Sequence, residues 1–155
     1  VGLDNYMVPS DLREQKDIFA AFIEMGQKMD KPLIVHTRKA EQDVIDMLVS
    51  AKAKKVVLHC FTGSMKLVKQ AEDAGYSFSI PPNIVFSTHF QEMVKRVNIN
   101  QLLTETDCPY LGPRKGERNE PKNVVETVKK IAALKGFDET ETANTIFLNY
   151  QRMFG

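Results

Sequence analysis

His36, His59 and Asp107 are the residues of this chain whose types and placement can do chemistry. His36 closes the apolar run Leu33-Ile34-Val35, and His59 closes Val56-Val57-Leu58. Asp107 stands just beyond Leu102-Leu103-Thr104-Glu105. Each therefore sits at the C-terminal end of a short apolar stretch. Two neutral imidazoles and an ionised carboxylate meeting at one point are a natural donor set for zinc, manganese or another first-row divalent ion. The alternative is that each histidine is a hydrogen-bonded core residue and Asp107 a helix cap. One histidine alone would favour that alternative; three groups at equivalent places favour the site. His89, the third histidine, lies on a helical stretch with no such counterpart and reads as an ordinary helix residue.

The elements that must position these groups alternate in type. Ile18, Phe19, Phe22 and Met25 mark one face of a first helix, opened by the D-x-x-E capping signal of Asp11 and Glu14. Pro32 then opens a strand ending at His36, apolar on both faces as a buried parallel strand should be. Val44, Ile45, Leu48 and Val49 mark a second helix, and the strand ending at His59 follows. Ser64 caps a third helix that Gly75 ends. Tyr76 to Ile80 reads as a strand halted by Pro81-Pro82. Phe90, Met93, Val94 and Val97 share a helix face, and Gln101 to Glu105 form the last strand. Pro121 starts a helix bearing Val124, Val125, Val128, Ile131 and Leu134, stopped at Gly136. Asp138 and Glu141 cap a final helix bearing Ile146, Phe147, Tyr150 and Phe154.

Strand ends at His36, His59, Ile80 and Asp107 are roughly 20 to 30 residues apart, which suits repeated βα units over a parallel sheet. The class is α/β. An open doubly wound sheet and a closed barrel share this rhythm, but polar groups collected at the C-terminal strand ends favour a TIM-type barrel. No linker or low-complexity segment interrupts the pattern, so residues 1–155 read as one domain.

The 155 residues carry a formal net charge of +1, with 43% hydrophobic and 26% charged residues. That balance excludes a broad polycationic coat for nucleic acid, though not a small basic groove. No apolar run is long enough to cross a bilayer. Cys60 and Cys108 match no disulfide or zinc-ribbon spacing and read as reduced thiols in the cytoplasm.

Several motifs then become specific together. His36-Thr37-Arg38-Lys39-Ala40, His59-Cys60-Phe61-Thr62-Gly63-Ser64, Glu105-Thr106-Asp107-Cys108-Pro109-Tyr110-Leu111 and Arg118-Asn119-Glu120-Pro121 resemble, in the same order, the H-x-R-x-A, H-C-F-x-G, E-T-D-x-P-Y-L and R-N-E-P elements of the TatD family of metal-dependent deoxyribonucleases. Gly2-Leu3-Asp4 is similar to the tail of that family's G-E-[IV]-G-L-D strand.

The resemblance implies the C-terminal part of a (β/α)8 barrel and a hydrolase of DNA phosphodiester bonds, trimming single strands or 3′ ends with two divalent ions (Mg, Mn or Zn) per complete site. His36 and His59 would hold one metal; Asp107 would bind the other and act as base on the attacking water. Arg118 and Arg38 are candidate substrate contacts, with a salt bridge to Glu120 or a neighbour as the competing role for Arg118. Glu105 and Glu120 would support the site from behind. Phe61 and Tyr110 could stack on bases, but packing is the stronger expectation for both. An amide, ester or lactone hydrolase on the same barrel, or a non-catalytic half-barrel, are the other readings.

The family pattern also has an H-x-H strand and a bridging Glu ahead of the position of Val1. The expectation is a natural protein about twice as long, with four of the barrel's eight strands fully represented here. The missing N-terminal half, or a second chain, would cover the open edge, and the isolated chain would cleave DNA poorly.

Overall fold

The computed structural model describes residues 1–7 and 12–155; the capping signal expected at Asp11 lies outside the described residues. Strands and helices alternate along the chain, and the pairings β1–β2, β2–β3 and β4–β5 defined below are parallel. Apart from the last two residues the chain gathers into two compact units, Val1–Ser77 and Phe78–Met153.

The first unit runs β1 (Gly2–Asp4), α1 (Leu12–Lys28), β2 (Leu33–Arg38), α2 (Glu41–Ser50), β3 (Val56–His59) and α3 (Met65–Asp73). Leu3, Val35, Val44, Ile45, Leu48 and Leu58 are fully buried and form its core. Register places Gly2 opposite His36 and Asp4 opposite Arg38, with Leu33 opposite Val56. Ser64 caps α3, accepting from the Leu67 amide at 3.4 Å.

Two expectations shift in this unit. The buried face of α1 is Phe19, Ile23 and Gly26, while Ile18 and Met25 are exposed. Gly26 is the cause: a Cβ there would lie 2.9 Å from Leu33 Cδ2, so the helix approaches β2 along the line that ends at that glycine. Nor is β2 buried on both faces. Val35 and Thr37 are covered, but Ile34 is 54% exposed on the face it shares with His36.

The second unit holds all but the first residue of β4 (Ser77–Ile80), then α4 (Thr88–Arg96), β5 (Leu102–Thr104), α5 (Val124–Lys135) and all but the last residue of α6 (Glu139–Phe154), with single 3-10 turns at Pro82–Val85, Ile99–Gln101 and Pro121–Asn123. Phe78 pairs with Leu102 and Ile80 with Thr104. Gly136 ends α5 in the left-handed conformation (φ 73°), as expected of a glycine there. Asp138 caps α6 through the Thr140 and Glu141 amides at 2.8 and 3.2 Å.

The inward stripe of α6 is Thr142, Ile146 and Asn149. Phe147 and Tyr150, expected inside, are 58% and 53% exposed. The side-chain amide of Asn149 explains the rotation: it donates to the carbonyls of Ile99 and Leu102 at 2.8 and 2.9 Å. Satisfying these two carbonyls, one of them in a buried bond, outweighs burying an extra aromatic edge, so Phe147 and Tyr150 stack on each other outside, 6.5 Å apart. On α5, Thr127, Ile131 and Ala132 face inward, and Val125 is exposed. His89, on α4, packs edge-to-face on Phe90 at 5.5 Å. Among the described residues no helix is long and apolar enough to cross a membrane.

Candidate metal centre and its flanking loops

Near the C-terminal ends of β1, β2 and β3, Asp4, His36 and His59 come together, although β2 runs two residues past the expected end at His36, to Arg38. The His36 and His59 rings lie 6.5 Å apart, centre to centre, tilted by 33°. Asp4 Oδ2 is 3.1 Å from His36 Nε2. Its other oxygen, Oδ1, accepts from the amides of Tyr6 and Met7 at 2.8 Å each. Gln15 of α1 clamps the Asp4 backbone on both sides, accepting from its N–H at 2.8 Å and donating to its carbonyl at 3.1 Å. Burial alone would push the Asp4 carboxyl up. The Met7 and Tyr6 amides and the His36 ring outweigh it and hold the group below the usual carboxylate value.

Gly2 makes this approach possible. Its φ is 136°, and a Cβ there would fall 2.0 Å from the His36 carbonyl oxygen. Past the strands the backbone is strained: Lys39 after β2 and Cys60 after β3 take left-handed φ values of 58° and 43°. Such strain costs of order 1 kcal/mol per residue and concentrates at functional sites.

The donor chemistry fits a divalent ion. With metal–nitrogen bonds of about 2 Å, two imidazoles on one ion place their ring centres about 5 to 6.5 Å apart. The observed separation lies at the open end of that range. Two imidazoles are nonetheless a partial set, and Asp4 is engaged with His36 instead of aimed beside it. Among the described residues no three His, Cys, Asp or Glu side chains stand ready to hold a metal.

In the second unit, Asp107 follows β5 with φ 46°. Its carbonyl accepts from the Tyr110 amide at 2.9 Å. Glu105 is tied to β4: the Ser79 hydroxyl donates to its Oε2 at 2.6 Å, and its own N–H donates to Ile80 O at 3.1 Å. The loop after Asp107 is held by Asn119, which is 2% exposed. Its Nδ2 donates to the carbonyls of Thr106 and Tyr110, while its Oδ1 accepts from the Glu120 amide and from Asn123.

Arg118 is exposed and lines a hollow of about 600 Å³ with Arg114, Glu117, Glu120, Lys122 and Glu126. Arg114 pairs with Glu117 at 3.3 Å and Lys122 with Glu120 at 2.6 Å. Lys122, then Arg118, holds the Glu120 carboxyl below its usual value. Arg118 itself makes no ion pair within 4 Å among the described residues. The salt bridge it was weighed against is taken by Lys122, and Glu120 is a surface partner of that lysine. Arg38 lies over the Tyr6 ring, 4.1 Å from its centre. Phe61 is fully buried, with Gly63 against its ring, so it is a packing residue; Tyr110 is exposed.

Two residues escaped the sequence reading. Asp4 was visible only as the end of a short motif, although its place at a strand end was the same signal that marked the histidines. Asn119 stood inside a quoted motif, but no pattern revealed that its amide ties the loop.

The whole chain, residues 1–155, matches the family model described as TatD related DNase. The chain belongs to that family. It is 34% identical over 155 residues to an uncharacterized metal-dependent hydrolase of Methanocaldococcus jannaschii, covering 99% of this chain and 60% of that protein. It is 36% identical over 141 residues to human deoxyribonuclease TATDN3, covering 91% of this chain and 52% of the relative. The crystal structure of YJJV, a TatD homologue from Escherichia coli K12, superimposes with a TM-score of 0.90 at 21% identity, covering 99% of this chain and 61% of that one. A TatD family hydrolase from Entamoeba histolytica gives 0.86 at 23%, with 99% and 61% covered. The TatD-type fold is thus shared, and this chain spans about 60% of the length of these proteins or less.

Proposed function

We propose that this chain carries part of the active site of a metal-dependent deoxyribonuclease. The supporting observation is the pair His36 and His59 near the C-terminal ends of neighbouring parallel strands, rings 6.5 Å apart. His36 and His59 would supply neutral nitrogens to one ion. Asp107, by its motif and its place after β5, is the proposed ligand of a second ion and the group that takes a proton from the attacking water. It does so only as a carboxylate. Divalent ions bound there would lower the pKa of water towards neutrality and screen the phosphodiester charge. Arg118, without an ion-pair partner among the described residues, and Arg38 are proposed to meet phosphate oxygens; Glu105, anchored by Ser79, would support the loop of Asp107.

The chain is proposed to be a portion of a (β/α)8 barrel whose remaining strands cover the open face carrying Ile34. A cytoplasmic location is part of this proposal, supported by Cys60 and Cys108, which form no disulfide among the described residues.

The test uses the longest natural form of the protein, assayed with Mg, Mn and Zn on end-labelled single- and double-stranded DNA, and on small esters, amides and lactones. DNA should be cleaved, with 3′-labelled single strands among the substrates, and Asp107→Asn should slow cleavage by roughly 10²- to 10⁴-fold. The 155-residue chain alone should show little activity. Hydrolysis of small substrates without DNA cleavage would replace this reading with another hydrolase. Undiminished metal binding after both His36→Ala and His59→Ala would remove the site itself.

A further inference from the structure

We infer that Asp4 is a positioning residue: it holds the proton of the His36 ring on Nε2 and thereby leaves Nδ1 as the nitrogen that meets a metal ion. This rests on the metal-site reading above and adds to it which atom binds and what fixes it.

A neutral imidazole has one N–H and one bare lone pair, and a carboxylate can only accept. The nitrogen that faces Asp4 Oδ2 at 3.1 Å is therefore the one that carries hydrogen. The carboxylate cannot turn to offer a different edge. Oδ1 is committed to the Tyr6 and Met7 amides, and rotation would break both bonds. Nor can the residue slide, because Gln15 grips its N–H and its carbonyl. The strand register completes the alignment: Gly2 opposite His36 lets β1 lie close enough for Asp4 to reach back two positions along β2. A carboxylate behind a ligating histidine fixes the ring's tautomer and orientation and raises its basicity.

The discriminating variant is Asp4→Asn in the full-length protein. Asparagine keeps an oxygen for the Tyr6 and Met7 amides, so the turn persists, but presents an NH2 donor to His36. The ring must then accept at Nε2 and carry its proton on Nδ1. The first readout is ¹⁵N NMR of the metal-free protein at about pH 8, where an imidazole is neutral. Wild type should show His36 protonated on Nε2, and the variant should shift to Nδ1. The second readout is Zn²⁺ affinity by competition with a chelating dye, which should fall by roughly 10- to 100-fold in the variant.

An Nδ1-protonated wild type, or a tautomer and affinity untouched by Asp4→Asn while His36→Ala abolishes Zn²⁺ binding, would overturn the inference alone. Zn²⁺ affinity unchanged in His36→Ala would overturn the metal-site reading and this inference with it. A role confined to holding the 5–7 turn predicts no tautomer change, so the NMR result separates the two.

Discussion

Asn119 shows how much one buried amide can hold. Its side chain satisfies two carbonyls and accepts two N–H groups, joining Thr106 before Asp107, Tyr110 and Glu120 after it, and Asn123 of the following 3-10 turn. In Asn119→Ala those part-buried groups lose their partners together, at up to about 1–3 kcal/mol for an unsatisfied group. We expect a loss of roughly 3 kcal/mol in denaturant unfolding, together with faster proteolysis between residues 106 and 120. A wild-type midpoint would contradict this. Gly63→Ala tests the neighbouring strand exit. The new Cβ would lie 2.4 Å from Phe61 Cζ, and Phe61 is fully buried, so overpacking should cost about 2 kcal/mol by the same measurement. At this scale the placement of His36, His59 and Asp107 at or within a few residues of strand ends was legible, because apolar runs announce strands. The hydrogen-bonded roles of Asp4 and Asn119 were not, since an Asp or Asn in a turn looks alike whether it caps a helix, ties a loop or meets a ring.

Elements were legible in kind more than in orientation. Every strand that an apolar run marked is present, but α1 and α6 are each rotated from the face that hydrophobicity suggested. In α1 a glycine sets the line of closest approach, and in α6 a polar residue does. Periodicity weighs side chains by their apolarity and is blind to both causes. Two predictions belong here. Gly2→Ala places a methyl group onto the His36 carbonyl and forces an alanine to φ 136°, so β1 should detach from β2. A cost of at least about 3 kcal/mol is expected, with loss of the His36–Asp4 contact visible as a changed His36 ring resonance; an unperturbed ring would refute it. The other concerns the cap of α6. The Glu141 and Thr140 amides hold the Asp138 carboxyl below its ordinary value of 3.8. Its contribution is therefore full above that value and is lost as pH falls through the lower, folded-state value. The gap in melting temperature between wild type and Asp138→Ala should be constant near neutrality and close in acid; a gap that widened in acid would rule out this account.

For the molecule as a whole, the sequence declared a parallel α/β protein and a family; the structure bears out the first and the family model the second. What it could not declare is which apolar side chains stay uncovered, because alternation assigns a residue to a face without saying what lies over that face. Phe147 and Tyr150 on α6 and Ile34 on β2 are uncovered here. With a net charge of only +1 there is little repulsion to keep such surfaces apart. The isolated chain should associate at tens of micromolar by sedimentation velocity, and Phe147→Glu should shift it towards monomer; a monodisperse wild-type monomer would refute this. The strand pairing behind Asp4 and His36 has one more consequence. These residues are 32 positions apart, yet adjacent strands fix their separation, and the connection between them can vary in length as long as α1 still brings Gln15 to Asp4. Homologues can gain or lose surface turns there without disturbing the dyad, whereas a one-residue slip inside either strand would send the two side chains to opposite sides. Indels tolerated between the strands and forbidden within them are the evolutionary trace this architecture should leave.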